Sequence, residues 1–388
     1  MHLPWLLPRH CVIDRYVLWL FLKVLVISFF SLLGLYVVID LMNNFQEFSS
    51  YGENAAGGLA GVLWDYYSPR VYWFFDLTAG LTAMIAGIFA VTWMQRTNEL
   101  TALMAAGIKP TRVIRFVWLA AIGVALAGIV NREVLLPAVR EKLSRNAQDW
   151  LGSAAKPCRP MWDLKTNILI SGKDTFANQK RIEAPTFSQL PEEFKSWGRQ
   201  ITADNAWYQP PVDGRPSGYL VRGVRLPENL NSLDSAAIAG DTTLFSPKDN
   251  RWLKPGECFV ASGVSFEQLT VGNQWQEYMS TAELIAGLYN QSLDYGSYVR
   301  VTLHKRFVQP LLDVTLIFLG LPLVLARGQR NLFAAGGYAA ALVLAFFCVT
   351  LSSHSAGQNY LLSPHLAAWL PLIVFAPIAY VLARPLWD

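Results

Sequence analysis

The sequence predicts a membrane α-helical protein of six transmembrane helices, three before and three after an inserted all-β, jelly-roll-like domain. Three observations carry that reading. The 388 residues are 53% hydrophobic and only 15% charged, a balance soluble globular domains rarely reach. Apolar residues gather at 16–39, 71–94, 113–131, 307–326, 332–353 and 366–383, each run long enough to cross a hydrocarbon core of about 30 Å. Between Arg140 and Tyr298 the hydrophobic period changes from helical to alternating. The domain division expected is 1–140, 141–300 and 301–388.

The first span follows Arg9, His10 and Arg15, which invites a signal-peptide reading. The run from Val17 to Ile39 is too long for one, and no small-residue cleavage site follows it. It reads as an uncleaved helix. Lys and Arg mark the cytoplasmic flanks: Arg9, Arg15 and Lys23, then Arg96, Lys109, Arg112 and Arg115, then Arg327 and Arg330, then Arg384. The opposite loops carry Glu47, Glu53 and Asp65 at 41–68 and no Lys or Arg at 354–365. Both termini are expected inside and 132–303 outside. The net charge of +4 is mostly this topological signal, and no nucleic-acid partner is expected.

The stretch "TNELTALMAAG", 97–107, lies between spans two and three. At 100° per residue, Leu100, Leu103, Met104 and Ile108 share one stripe, and Glu99, Ala102 and Ala106 another. Thr97 is the expected N-cap, Glu99 suits the positive end of the helix dipole, and Gly107 suits its termination. One face can lie against the membrane domain while the other, small with one charge, suits a groove on another protein.

In the insert, runs such as "DLKTNILISG", "QITADNAWYQ" and "GECFVASGVSF" alternate and are separated by turn signals at Pro210-Pro211, Asp213-Gly214 and Pro255-Gly256. A helix is expected before it, "LLPAVREKLSRNAQDW", and one after it, "STAELIAGLYNQ", capped by Ser280 or Thr281. Of four cysteines, Cys11 falls inside, Cys348 in span five, and Cys158 and Cys258 in the exposed insert, where a disulfide between them is a candidate. The insert has no His, no metal-ligand cluster and no recognisable nucleophile context, and the chain has no G-x-x-x-x-G-K-[ST] loop. No catalytic residue, metal or cofactor is expected, and any ATP must bind another subunit.

Three stretches resemble the LptF/LptG (YjgP/YjgQ) permease family. They are N-E-L-x-x-L-x-A-x-G at Asn98 to Gly107, "LHKRFVQPLLDVTLIFLGLPLVLARGQR" at 303–330, and "SPHLAAWLPLIVF" at 363–375. The insert is similar mainly through "ITADNAWY" and "GYLVRGV". The resemblance implies the transmembrane subunit of an ABC exporter in the Gram-negative inner membrane, which extracts lipopolysaccharide and passes it to a periplasmic bridge. It further implies an LptB-type ATPase dimer, a second LptF/LptG-type subunit, and LptC- and LptA-type periplasmic proteins as partners. Residues 97–107 would then be the coupling helix, with Glu99, Leu100, Leu103, Met104 and Gly107 at the ATPase contact. A lateral gate between spans one and five would involve Leu33, Val37, Asp40, Ala340 and Leu344.

Phosphorylated lipid calls for cations at the outer ends of the spans. Where the family commonly carries basic residues, this chain reads "VVIDLMNNFQEF", with Asp40 and Glu47. Arg70, Arg132, Lys305 and Arg306 are the remaining headgroup candidates. Asp76 and Asp313, ionisable residues within spans, are expected to pair with Arg70 or Arg306. His304, His354 and His365 do not suggest a metal. Against the permease reading stand a mechanical scaffold that docks periplasmic partners without moving lipid, an exporter of a different amphipathic lipid, and a secondary transporter. The last should show repeated halves and midplane ion sites, and the three-plus-three layout shows neither clearly.

Overall fold

A computed structural model describes residues 12–54, 57–144, 147, 155–212, 214–238, 240–270, 274–293, 296–325 and 332–383. The chain divides into two compact units, Met1–Ala138 with Ser297–Asp388, and Val139–Gly296. Five described stretches are long and apolar enough to cross a membrane: Val12–Asn43, Gly58–Arg96, Ile114–Leu143, Ala340–Gln358 and Pro364–Ala383. The expected fourth crossing lies on a further helix, Gly296–Leu325. Arg9, His10, Cys11, Arg327, Arg330 and Arg384 lie outside the described residues.

In the first unit, α1 (Val12–Asn43) is followed by a short α2 (Phe45–Asn54) and a long α3 (Gly58–Arg96). The described residues of the expected loop at 41–68 are therefore mostly helical. Its aromatic residues account for that: Phe48 is fully buried, its ring 4.8 Å from Tyr66, and the Tyr67 hydroxyl donates to Asp40 at 2.9 Å. Then come α4 (Glu99–Ala105) and α5 (Pro110–Val130), which runs through a π turn, Asn131–Leu135, into α6 (Leu136–Leu143).

The buried face of α3 carries a run of small residues, Ala79, Ala83, Ala86, Gly87 and Ala90, between bulkier Phe74, Met84, Val91 and Met94, and it packs in one core with Phe21 and Val24 of α1 and Val117 and Ala121 of α5. A Cβ at Gly87 would sit 3.1 Å from Val117. Helices in lipid gain nothing from merely leaving water, so close van der Waals approach through small residues is what associates them. The C-terminal helices are α10 (Gly296–Leu325), α11 (Leu332–Gln358) and α12 (Pro364–Ala383), and Phe346 of α11 packs on Phe375 of α12 at 5.0 Å.

The second unit is all-antiparallel. Among the described residues its eleven strands are β1 (Lys156–Pro157), β2 (Met161–Asp163), β3 (Ile168–Ser171), β4 (Asp174–Phe176), β5 (Arg181–Glu183), β6 (Thr186–Ser188), β7 (Gln200–Gln209), β8 (Gly218–Leu226), β9 (Ala236–Ile238), β10 (Asp241–Phe245) and β11 (Glu257–Ala261). The order is β1-β4-β5-β7-β8-β11-β10-β9, and the sheet forks at β7, whose first half pairs with β6 and second half with β5. Alternation is clean on β3, where Ile168 and Ile170 are buried and flanking residues are not. On β11 it fails, because Cys258 and Val260 enter the main core while Phe259 and Ala261 enter a second cluster with Leu220 and Leu253. Strands covered on both faces read as continuous apolar runs.

Two turn-forming devices close this unit. Buried Asp163 accepts from the Lys165 and Thr166 amides at 3.0 and 3.2 Å and from the Ser262 hydroxyl. The later helices are α7 (Phe266–Thr270), α8 (Gln274–Glu277) and α9 (Thr281–Leu288). Ser280 caps α9 in a reciprocal box with Glu283, so the cap is Ser280 rather than Thr281.

The disulfide expectation is corrected: Cys158 and Cys258 are both buried free thiols. Cys158 directly follows the edge strand β1, while Cys258 lies on β11, separated from it along the sheet by β4, β5, β7 and β8. Burial pushes the Cys158 thiol up to about 11 and the Cys258 thiol up to about 12. Since only the thiolate attacks electrophiles, both should resist alkylation in the native chain at neutral pH and react after unfolding. Non-reducing peptide mapping should recover two unlinked peptides. Fully buried Trp197, whose indole donates to the Asp234 carbonyl at 3.0 Å, is the largest core side chain of this unit. Trp197→Ala should cost about 3–5 kcal/mol, read as loss of hydrogen-exchange protection in β7 and β8.

Candidate functional site

The polar turn between α3 and α5 is specified residue by residue. Thr97 ends α3, its amide and hydroxyl both donating to the Trp93 carbonyl at 2.9 Å. The N-cap of α4 is thus Asn98 rather than Thr97. Asn98 takes a left-handed conformation, φ 60°, which Asn tolerates better than most residues, and its carbonyl receives the Ala102 amide at 2.9 Å. At the other end Gly107, φ 80°, donates to Met104 O, and Ile108 donates to Leu103 O, both at 3.0 Å. That is the Schellman pattern, with glycine at the position where a Cβ would be strained. Pro110 then starts α5.

Leu100 is only 4% exposed, and Leu103 and Met104 pack on the same core, so one stripe of α4 is seated on the helical unit. Thr101, Ala102, Ala105, Ala106 and Gly107 are exposed. Glu99 lies at the border of the two faces, half-buried, and accepts a hydrogen bond from the Tyr16 hydroxyl of α1 at 3.2 Å. The Trp93 indole meets the same hydroxyl. Tyr16 was invisible to sequence reasoning, because its partner is 83 residues away and one Tyr in an apolar span carries no periodic signal.

At the opposite ends of the spans, the headgroup candidates are largely engaged within the chain. The Arg70 guanidinium lies 3.4 Å from the Tyr66 ring centroid and donates to the Tyr66 carbonyl at 2.8 Å. Arg132, in the π turn, contacts Asp76 through Nε at 2.9 Å and Nη2 at 2.8 Å. Arg306, 8% exposed, lies 3.9 Å from Glu133. Lys305 is exposed. The pairing expected for the acids is corrected: Asp76 is held by Arg132, and Asp313 accepts from Gln309 at 2.8 Å. The π turn explains this, since its extra residue turns Arg132 towards α3. Asp313 meets α3 at Gly80, where any Cβ would strike its carboxylate.

Of the gate candidates, Leu33 is buried, Val37 and Asp40 are half-buried, and Ala340 and Leu344 are exposed. Asp40 is engaged by Tyr67 and by the Asn44 amide at 3.2 Å. Beside them α1 exposes Ile27, Phe30, Leu35, Val38 and Ile39, and α11 exposes Leu344 and Leu351. Both helices present apolar surface outward.

A family model described as lipopolysaccharide export system permease LptF/LptG matches residues 15–209 and 219–385. The chain belongs to that family: it is an inner-membrane permease subunit of the lipopolysaccharide export system, and not itself an enzyme. No curated protein matches it. Within the matched span the ion pair is directly testable. Asp76→Ala should destabilise the helical unit by about 2 kcal/mol, less than a fully buried pair loses because both side chains keep some exposure, and Asp76→Ala with Arg132→Ala should recover part of that. Thermal unfolding in detergent reads both.

Proposed function

We propose that this member of the LptF/LptG family extracts lipopolysaccharide from its membrane and hands it to a periplasmic bridge, driven by a separate ABC ATPase acting on residues 97–107. The observation that carries this is the build of α4. It is a helix of seven residues with both ends fixed by backbone geometry, one face seated through Leu100, and a small exposed face bordered by Glu99. A simple connector needs none of this. A helix whose role is to receive force needs all of it, since displacement must reach the spans without the turn unravelling.

In this reading an LptB-type ATPase dimer receives α4, and Glu99 pairs with a basic side chain there. Tyr16 is a positioning residue: it ties the Glu99 carboxylate to α1, so movement of α4 is passed to the first span. The gate comprises Leu33, Val37 and Asp40 on α1 and Ala340 and Leu344 on α11, where the exposed apolar faces meet a second LptF/LptG-type subunit. Lys305 is the headgroup contact, while Arg70, Arg132 and Arg306 hold the frame around the path. The β domain, on the periplasmic side with both termini cytoplasmic, passes lipid to LptC- and LptA-type proteins.

The test compares two substitutions in the assembled transporter. Glu99→Lys should weaken capture of the ATPase at least about tenfold, the scale of a lost interfacial charge pair, and lipid release should fall with it. Tyr16→Phe should leave capture intact and lower the lipid released per ATP hydrolysed. Normal assembly and normal export by Glu99→Lys would remove the coupling assignment.

A further inference from the structure

In its first turns α1 turns Val17, Phe21 and Val24 into the core of the helical unit. Its outward face at the same level is not apolar throughout. Arg15, Trp19 and Lys23 follow one another at four-residue spacing, which stacks them along one side of a helix, and all three are exposed. Leu22 and Val26 fall within the same arc and are exposed as well. Among the described residues neither Arg15 nor Lys23 has a carboxylate partner, and the contact Lys23 makes is with the Trp19 ring. Asp14 is buried, about 100° round the helix from Arg15.

The depth of these residues follows from the length of the helix. Between Lys23 and Asp40, the next ionisable residue of α1, lie 16 residues without a charge, about 24 Å of helix. Asp40 is bonded to Tyr67 and Asn44 and marks the polar boundary at the far end. A hydrocarbon core of about 30 Å therefore reaches about 6 Å past Lys23, a gap a lysine side chain spans by snorkelling. Lys23 does turn back that way: its Nζ lies 5.1 Å from the ring centroid of Trp19, one turn nearer the N-terminus. That sets the ammonium and the indole at head-group depth, where Trp concentrates, with Arg15 one turn further out.

We propose that this face of α1 binds an anionic phospholipid of the leaflet at its N-terminal end, with Arg15 and Lys23 on the phosphate, Trp19 beside the glycerol, and the acyl chains over Leu22 and Val26. Charge complementarity selects an anion, and the apolar continuation below Lys23 selects one that carries a tail. A helix of another protein would have to bring a carboxylate to that depth, which is expensive; a lipid carries its phosphate there already. A lipid held in this way fixes the height of α1, and with it Tyr16, which bonds Glu99 at 3.2 Å. That consequence rests on the coupling role proposed for α4; the binding itself does not.

The experiment uses the full-length chain in nanodiscs of equal phosphatidylglycerol and phosphatidylcholine, with retained lipid counted by native mass spectrometry. Phosphatidylglycerol should be enriched at least about fivefold, and Lys23→Gln and Arg15→Gln should each lower the enrichment about fivefold, as expected for loss of one basic contact at an anionic surface. Lys23→Arg with Arg15→Lys should keep the enrichment, which separates charge from folding. Equal retention of the two lipids overturns the proposal, and so does an enrichment that both Gln variants leave unchanged, since the lipid then binds elsewhere. Loss of a co-purifying membrane protein from the Gln variants with an unaltered lipid ratio makes this face a protein contact and also overturns it. Glu99→Lys should leave the lipid ratio as it is, so a failure of the coupling reading remains distinct.

Discussion

The close approach of α3 to its neighbours is the constraint on which the helical unit depends. Apolar side chains in lipid have no water to escape, so helices stay together only where their surfaces fit. Along α3 the small buried positions Ala79, Ala83, Ala86, Gly87 and Ala90 alternate with buried Met84, Val91 and Met94, and α1, α5 and α10 all pack onto that stripe. Where a polar group enters the contact, the stripe narrows again: Gly80 faces the Asp313 carboxylate of α10. Because α3 is gripped along this length, its last turn is held in place, and the short helix hanging from that turn inherits a fixed position. The seat of α4 therefore depends on the packing of α3 over the turns that precede it.

Charge is distributed in two different ways at the two ends of these helices. At one end Arg70, Arg132 and Arg306 are folded onto Tyr66, Asp76 and Glu133, so their charges stabilise the frame. A guanidinium that leaves water needs such partners, since an unpaired one is expensive at that depth. At the other end Lys109, Arg112 and Arg115 stay exposed in a common recess. The same residue type is thus folded into the frame at one end and left exposed at the other. The acidic "VVIDLMNNFQEF" stretch fits the same scheme, because Asp40 is occupied by Asn44 and by Tyr67, the latter an interhelical link between α1 and α3.

Much of this was legible in the sequence because it rests on local rules. Hydrophobic length gave the spans, alternation gave the insert, and the Leu100, Leu103, Met104 stripe gave the buried face of α4. The glycine that ends α4 was legible as well, since few other residues accept its conformation. The parts that escaped depend on contacts between distant segments. Asn98 displaced Thr97 as N-cap because Thr97 bonds back to Trp93 to finish α3. Asp76 found Arg132 rather than Arg70 because a π turn, which leaves no sequence period, redirects that arginine. Cys158 and Cys258 remained thiols because the sheet order, unreadable from the chain, separates their strands.

The central claim is that α4 takes force from an ATPase and delivers it to a lipid-extracting bundle. The most direct measurement is to purify the chain from its native membrane in mild detergent and identify by mass spectrometry all proteins and lipids that accompany it. The account predicts an ABC ATPase, a second six-span permease subunit and a glycolipid built on lipid A. Recovery of the chain without an ATPase would contradict the role given to α4, and recovery with the ATPase but without such a lipid would contradict the cargo.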